Sequence, residues 1–284
     1  MSVLATTDGS EESLAILPHA SRLSAAIGEE LILLRVLDPL IDARSVVAPS
    51  LQQAVSQVSA QWEKELEGIL ATRGIAGAGH VAARVHGEET HDTVHHAAER
   101  LEASVIATHS HAGGKLRRAF LGSNTMAMLA KRGVPLLASG PAVAAPVDGS
   151  RYHVFFTTDG SPAAESALAS FQPLLHEAGA HVTLWQALVA AGAPQDEDAA
   201  GARLEILSGQ LPSGVTSEIR VAPAVAPGEV ASLLVREAVA CGATAIGMST
   251  HGHSARYHLV AGSVAIAVLG QSPLPVLLAR ASSS

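Results

Sequence analysis

The sequence has a single cysteine, no excess of basic residues and no long apolar run, and each absence excludes a class of protein. With Cys241 alone, the chain cannot form an internal disulfide. A lone cysteine is typical of a reducing compartment, so we expect a cytoplasmic protein. The formal net charge is -8, from 18 basic and 26 acidic residues. We therefore predict no nucleic-acid surface, which requires concentrated lysine and arginine.

The distribution of apolar and basic residues also predicts no membrane span and no signal peptide. No stretch reaches the ~18 consecutive apolar residues of a membrane span. The beginning, Met1–Ala5, has no basic flank before an apolar stretch, so no signal peptide is expected. Hydrophobic residues make up 48% and charged residues 15%, which is typical of a globular chain with a buried core.

Three short motifs occur twice, in the same order. Thr-Thr-Asp-Gly-Ser ends the segment Val3–Ser10 and recurs in Val154–Ser161. Gly-Ser at 122–123 recurs at 262–263, and the proline-containing run 134–138 recurs at 274–279. A repeat near half the chain length indicates tandem domains rather than a solenoid. We predict a first copy at 1–140 and a second copy at 151–281, joined by a linker of small residues with proline and glycine.

Each copy alternates short apolar runs with longer periodic segments. The runs are apolar on both faces, which favours buried parallel strands. The alternation predicts an α/β fold, with two tandem Rossmann-like (doubly wound) domains, each with a five-stranded parallel sheet. The predicted strands are Val3–Thr7, Leu31–Leu37, His80–His86, Ser104–Thr108 and Val134–Ala138, then His153–Thr158, His181–Ala187, Thr216–Val221, Thr244–Met248 and Pro275–Ala279.

The first helix of each copy has one apolar face. Ser10 and Ser161 precede these helices as predicted N-caps. The second helix is long in the first copy, around 49–73, whereas the second copy has a shorter acidic stretch near 195–198. The apolar faces are Ile16, Ala20, Leu23 and Ile27, and Ala164, Leu168, Phe171 and Leu175.

Two loops in each copy form the candidate ligand site, because ligands bind beyond the carboxyl ends of strands in an open parallel sheet. One loop follows the first strand and carries Asp8 or Asp159; the other follows the fourth strand. In the second copy Gly252 and Gly262 bracket nine residues, and Ser263 opens a helix. Glycine permits close backbone approach to a phosphate, and a helix start offers unpaired N–H groups. Both motifs also have an interpretation without a ligand. The Gly-Ser pair is explained by ordinary helix capping, and the Asp-Gly pair is explained by turn formation.

The presence of both loops in both copies resembles the universal stress protein family in tandem form. The family pattern is Gly-x2-Gly-x9-Gly-Ser/Thr after the fourth strand, with an Asp after the first. The resemblance implies a cradle for ATP, with the last Gly and Ser at the phosphates and the Asp near the adenine and ribose. It implies an ATP-binding protein of the universal stress response. Mg²⁺ would arrive with the phosphates, and no cofactor would be required for folding.

The sequence departs from this pattern in both copies. Ser249 stands at the first glycine position of the second copy, whereas His109 and Ala112 stand at both glycine positions of the first. A histidine fills space that a ribose or phosphate needs, and it resists a positive φ if the loop demands one. We therefore hypothesise that the second copy is the better nucleotide site and that the first is degenerate.

The resemblance places candidate nucleotide contacts at matching positions of the two copies. In the second copy they are Thr158, Asp159, Ala187, Met248, Ser249, His251, Gly252, Gly262, Ser263, Val264 and Ala265. In the first copy they are Thr7, Asp8, Val36, Thr108, His111, Gly122, Ser123, Asn124 and Thr125.

The sequence predicts no catalytic residue and no metal site. His91, His95 and His96 lie at helical spacing, but no cysteine or clustered carboxylate joins them in a zinc pattern. The loops contain no candidate base or arginine finger for hydrolysis. We therefore predict nucleotide binding rather than rapid turnover. The alternatives are a slow ATPase and a stress or signalling scaffold that binds no nucleotide.

The resemblance also predicts how the copies pair. Members of the family commonly dimerise through their last strands, so Val134–Ala138 and Pro275–Ala279 would face each other in an intrachain pseudo-dimer. Such pairing covers strand edges that would otherwise be exposed. Whether two chains then form a homodimer is left open.

Overall fold

In the computed structural model the described residues are 1–110, 125, 127–128, 134–146, 151–190, 196–250 and 262–280. The strands of the first copy are β1 (Ser2–Thr7), β2 (Glu30–Leu37), β3 (Ala78–Ala83), β4 (Ala103–His109) and β5 (Leu136–Ser139). Its α-helices with described bounds are α1 (Leu17–Ile27), the short α2 (Pro39–Asp42), α3 (Leu51–Thr72) and α4 (Thr90–Arg100).

The second copy repeats this alternation. Its strands are β6 (His153–Thr157), β7 (His181–Val189), β8 (Thr216–Val225), β9 (Ala245–Ser249) and β10 (Val276–Ala279). Its α-helices are α5 (Pro162–Glu177), α6 (Glu197–Gly209), α7 (Val230–Ala240) and α8 (Ser263–Gln271). The acidic stretch near 195–198 leads into α6, which has 13 residues, whereas α3 has 22.

The ten strands form one sheet in the order β3-β2-β1-β4-β5-β10-β9-β6-β7-β8. Neighbouring strands are parallel within each copy, which confirms the predicted α/β class and five strands per domain. The two copies meet at β5 and β10, which pair antiparallel. The last strands therefore face each other as predicted, and they join two parallel sheets into one mixed sheet.

The apolar faces of the first helices pack against this sheet. Ile16, Ala20 and Leu23 are buried, and Leu168 and Phe171 are buried in the second copy. One apolar cluster covers one face of the sheet across both copies, and a second cluster covers the other face. The periodicity therefore identified the packed sides of both helices.

The N-cap prediction is confirmed for Ser161 and wrong for Ser10. The Ser161 hydroxyl accepts a hydrogen bond from the Ala164 N–H at 3.1 Å at the start of α5. In the first copy a 3-10 turn, Ser13–Ile16, comes first and α1 begins at Leu17. Ser10 caps the turn instead, because its hydroxyl accepts from the Ser13 N–H at 3.2 Å. Pro18, which lacks an N–H, fits the first turn of α1.

The bounds predicted for the third strand are also wrong. The sequence suggested His80–His86, but β3 spans Ala78–Ala83. Beyond β3 the Arg84 N–H donates to the Leu37 carbonyl at 2.8 Å, and the Arg84 side chain forms an ion pair with Asp38. The chain then turns at Gly87, where φ is +84°.

No helix among the described residues has the length and apolar character needed to cross a bilayer. The longest, α3, has 22 residues, and it carries Glu63, Lys64, Glu65 and Glu67.

Candidate functional site

The Thr-Thr-Asp-Gly-Ser motif forms a tight turn at the carboxyl end of β1. Gly9 has φ +91°, a conformation that favours glycine. Its N–H donates to the Thr7 hydroxyl at 2.9 Å. The Asp8 Oδ1 accepts from the Ser10 N–H at 2.9 Å and from the Ser10 hydroxyl at 2.6 Å. This carboxylate oxygen therefore stabilises the turn, which is the role that the Asp-Gly pair alone predicts.

The same turn follows β6 in the second copy. Gly160 has φ +76°, and its N–H donates to the Thr158 hydroxyl at 3.0 Å. The Asp159 Oδ1 accepts from the Ser161 N–H at 3.0 Å. The repeated sequence thus encodes a repeated backbone geometry, and both aspartates lie at the edge of the sheet where ligands bind in such folds.

A cavity of about 570 Å³ opens at this edge of the first copy. This volume lies within the range of roughly 300–1,000 Å³ typical of small-molecule pockets. The cavity brings together the carboxyl ends of β1, β2 and β4. The predicted contacts that line it are Thr7, Asp8, Val36, Thr108 and Thr125.

Sequence analysis missed Arg35 and Trp62, which line the same cavity. The Arg35 guanidinium lies over the Trp62 ring, 3.5 Å from the ring centroid, and pairs with Glu65 at 3.9 Å. It also packs against Gly9, because a Cβ at that position would lie 3.0 Å from the Arg35 Cζ. The cavity wall therefore carries one guanidinium held by a cation–π contact, beside the Asp8 and Asp42 carboxylates that line the same cavity.

His109, which replaces the first glycine of the loop pattern, also lines the cavity. Its Nδ1 hydrogen-bonds with the Ser139 hydroxyl of β5, 2.9 Å away. The ring is thus held by the neighbouring strand, and the cavity of about 570 Å³ exists with the ring in this place.

In the second copy, the described candidate residues gather at the equivalent edge. Thr158, Ala187, Met248 and Ser249 are buried at the ends of β6, β7 and β9. His251 and Gly252 lie outside the described residues, as do His111, Gly122, Ser123 and Asn124 of the first copy.

The start of α8 lies beside the end of β9. Ser263 opens this helix as predicted, with Gly262 as its N-cap residue. The Gly262 N–H donates to the Thr250 carbonyl at 2.7 Å, which holds the helix start at the carboxyl edge of the sheet. Ser263 is exposed, whereas Ala265 is buried. Val264 follows Ser263 in the first turn of α8, which places these predicted residues at a helix N-terminus suited to an anion.

Gln186 and Arg203 crowd the Asp159 turn, and sequence analysis missed both. A Cβ at Gly160 would lie 3.2 Å from Arg203 Nε and 3.4 Å from Gln186 Nε2. Gln186 is 1% exposed, and its Oε1 and the Arg203 Nε are buried without a hydrogen-bond partner among the residues that the structure describes. Buried polar atoms are normally paired. For Gln186, a polar residue within the apolar segment Leu184–Val189 of β7 was the available sequence signal.

The histidines singled out in the sequence form no joint metal site among the described residues. His96 pairs with Glu88 at 2.6 Å and His91 with Asp92 at 3.6 Å. One group of possible metal ligands does occur in the described part of the chain: His153, His181 and Glu218. It lies near the amino ends of β6, β7 and β8, at the opposite edge of the sheet from the candidate nucleotide site.

The tandem fold agrees with comparisons to known proteins. The model of the universal stress protein family matches residues 1–139 and 152–280. A search of curated proteins gives no match.

Solved structures match over nearly the whole chain. A universal stress protein from Archaeoglobus fulgidus DSM 4304 is similar with a TM-score of 0.65 and 19% identity, covering 98% of each chain. A putative universal stress protein from Pseudomonas aeruginosa UCBPP-PA14 gives a TM-score of 0.60 and 15% identity, covering 99% of this chain and 93% of the other. At these identities the likeness shows the shared tandem fold.

Proposed function

We propose an adenine-nucleotide-binding function for this chain, which belongs to the universal stress protein family. The nucleotide would bind at the carboxyl edge of the sheet, where both Thr-Thr-Asp-Gly-Ser turns lie. The observation that carries the proposal is the cavity of about 570 Å³ in the first copy, lined by Thr7, Asp8, Val36 and Thr108.

The chemistry of the cavity suits a nucleotide. Val36 and Met128 offer apolar surface for a base, and the Thr7 and Thr108 hydroxyls offer polar contacts for a ribose. Arg35 adds a positive charge that attracts a phosphate. ATP is the proposed ligand, with Mg²⁺ carried mainly by the phosphates.

The second copy is the proposed tighter site. Its loop keeps Gly252, Gly262 and Ser263 of the family pattern, and the N-terminus of α8 lies beside β9. The unpaired polar atoms of Gln186 and Arg203 next to the Asp159 turn support a polar ligand there. The relative affinity of the two copies remains a prediction, as does the cytoplasmic location.

Binding in a stress-response role, rather than turnover, is the proposed activity. Fast hydrolysis requires a group that positions water and a cation that stabilises the transition state, and the loop sequences contain no candidate base or arginine finger. Phosphate release from Mg-ATP by the wild type should therefore be no faster than release by a Gly262→Val/Ser263→Ala double variant. Release above that control would favour the slow ATPase.

The proposal is tested by thermal shift of the full chain with ATP, AMP and GTP, because a ligand that binds the native state raises the melting temperature. Val36→Phe should fill the first cavity, and Gly262→Val/Ser263→Ala should damage the second site. The exposed Val85→Phe is the matched control. We expect each site variant to reduce the ATP-induced shift and their combination to abolish it. An equal shift in the combined variant would contradict the proposed sites.

A further inference from the structure

Three possible metal ligands converge near the amino ends of the second-copy strands. His153 and His181 are the first residues of β6 and β7 and are register partners, and Glu218 of β8 pairs in register with Thr183. Register partners place their side chains on the same face of a sheet. One ligand atom from each of His153, His181 and Glu218 lies within 4.8 Å of the others.

A threonine hydroxyl lies between two members of this cluster. Thr183 Oγ1 lies 2.8 Å from His153 Nε2 and 2.8 Å from Glu218 Oε1. The Thr183 hydroxyl therefore links His153 and Glu218 in one hydrogen-bonded cluster at the amino edge of the sheet.

The two imidazoles are prepared for coordination. His153 is 8% exposed, and its Nε2 faces the Thr183 hydroxyl at 2.8 Å. His181 Nδ1 hydrogen-bonds the Thr216 hydroxyl at 2.9 Å. Bonding of the second ring nitrogen to an oxygen is the usual way in which a metal-binding histidine is oriented.

We propose that His153, His181 and Glu218 bind a zinc ion. Two imidazoles and one carboxylate form a donor set found in zinc sites that keep a fourth position open. A water molecule would complete the coordination.

Arg220 is the group that opposes a cation here. Its Nη2 pairs with Glu218 Oε1 at 2.8 Å, and its side chain is 40% exposed. Arg151 is nearby, because its Nη1 donates to the Thr216 hydroxyl at 2.9 Å. Zinc binding therefore requires Arg220 to release one carboxylate oxygen and move toward solvent, which its exposure permits.

The first copy provides an internal comparison. Its equivalent register positions carry Ser2, Glu30 and Ala78, a set without an imidazole. The histidine cluster is therefore particular to the second copy, whereas the nucleotide-type turn is present in both. The zinc proposal stands independently of nucleotide binding.

The test is titration of the EDTA-treated, dialysed full chain with ZnCl₂ in competition with a chromogenic chelator. We expect saturation at one zinc ion per chain. His181→Gln and Glu218→Gln should each weaken zinc binding by more than about tenfold, because each removes a metal ligand and even the loss of a group that only orients a ligand costs about tenfold or more. The exposed His176→Gln is the matched control and should bind as the wild type. Equal affinity in the wild type and His181→Gln would overturn the proposal.

Two further measurements separate coordination from a purely structural role. Arg220→Gln should tighten zinc binding several-fold, because it removes a competing cation from Glu218; weaker binding in this variant would count against the site. Co²⁺ should give the visible absorption of four-coordinate metal in the wild type and lose it in His181→Gln. Melting of both proteins in EDTA checks that the variant is folded.

Discussion

Leu137 of β5 and Leu277 of β10 lie directly opposite each other across the antiparallel junction of the two copies. Both side chains are buried, with exposures of 0% and 1%, and both belong to the apolar cluster that spans the two copies. Each copy thereby covers the edge strand of the other, which would otherwise present unpaired backbone groups. The tandem repeat therefore folds as one sheet with a shared core.

Leu277→Ala should lower the free energy of unfolding by about 2–5 kcal/mol, because it leaves a cavity at this junction. Urea unfolding followed by circular dichroism measures the change. Ile206→Ala is the control, since Ile206 is 64% exposed and its loss should cost less than about 0.5 kcal/mol. In combination with Leu137→Ala the effects should be non-additive; strict additivity would contradict direct packing of the two leucines.

Gly160→Ala should destabilise the chain more than Gly28→Ala. Both glycines have positive φ, +76° and +67°, so each alanine costs roughly 1–2 kcal/mol of backbone strain. At Gly160 the added Cβ would also lie 3.2 Å from Arg203 Nε, whereas nothing lies within 4 Å at Gly28. Equal losses in urea unfolding would show that Arg203 and Gln186 do not crowd this turn.

His19 should make stability depend on pH below its ordinary pKa of 6.5. Burial lowers the pKa of His19, while its Nε2 donates to the Ala144 carbonyl at 2.8 Å. The unfolded chain therefore binds the extra proton first, so stability is full above pH 6.5 and falls as pH decreases below it. In EDTA, His19→Gln should lose less stability than the wild type between pH 7.5 and 5.5.

The control for this measurement is His86→Gln, because His86 is exposed. The melting temperature of this variant should follow the wild-type pH dependence. A His19→Gln profile parallel to the wild type would contradict the account of the buried imidazole.

Arg35→Gln should weaken nucleotide binding at the first copy, and more for ATP than for AMP, because the guanidinium supplies a positive charge to the cavity wall. Fluorescence titration with a labelled ATP analogue, displaced by each unlabelled nucleotide, measures both affinities. Arg73→Gln is the matched control, since Arg73 pairs with Glu11 at 2.6 Å and does not line the cavity. An equal loss for ATP and AMP would argue against a phosphate contact.

Sequence periodicity predicted every strand, but it placed β3 at 80–86 instead of Ala78–Ala83 and ended β8 at Val221 instead of Val225. Few side chains of these two outer strands are buried, so their apolar pattern is weak. Gly79 lies within β3, where a Cβ would come within 2.7 Å of the Glu63 carbonyl oxygen and 2.8 Å of the Leu66 Cβ. This glycine makes room for α3 to pack closely on the strand. Such a role is invisible without the packing partner.

The local turn of the candidate site was predictable because its residues are close in sequence, and the family resemblance supplied Val36 and Thr108, which line the cavity. Asp8 and Gly9 form one local turn, so their motif predicts their geometry. Arg35 and Trp62 meet from β2 and α3, and His153 and His181 meet through strand register. These contacts depend on the order and alignment of strands, which local patterns do not specify.

Calorimetric titration of the nucleotide-free full chain with Mg-ATP tests the central claim most directly. We predict saturable binding in the wild type, with the tighter component lost in Gly262→Val/Ser263→Ala and the weaker component lost in Val36→Phe. Absence of saturable heat, together with no displacement of a labelled ATP analogue by ATP, would contradict nucleotide binding and favour a scaffold that binds no nucleotide.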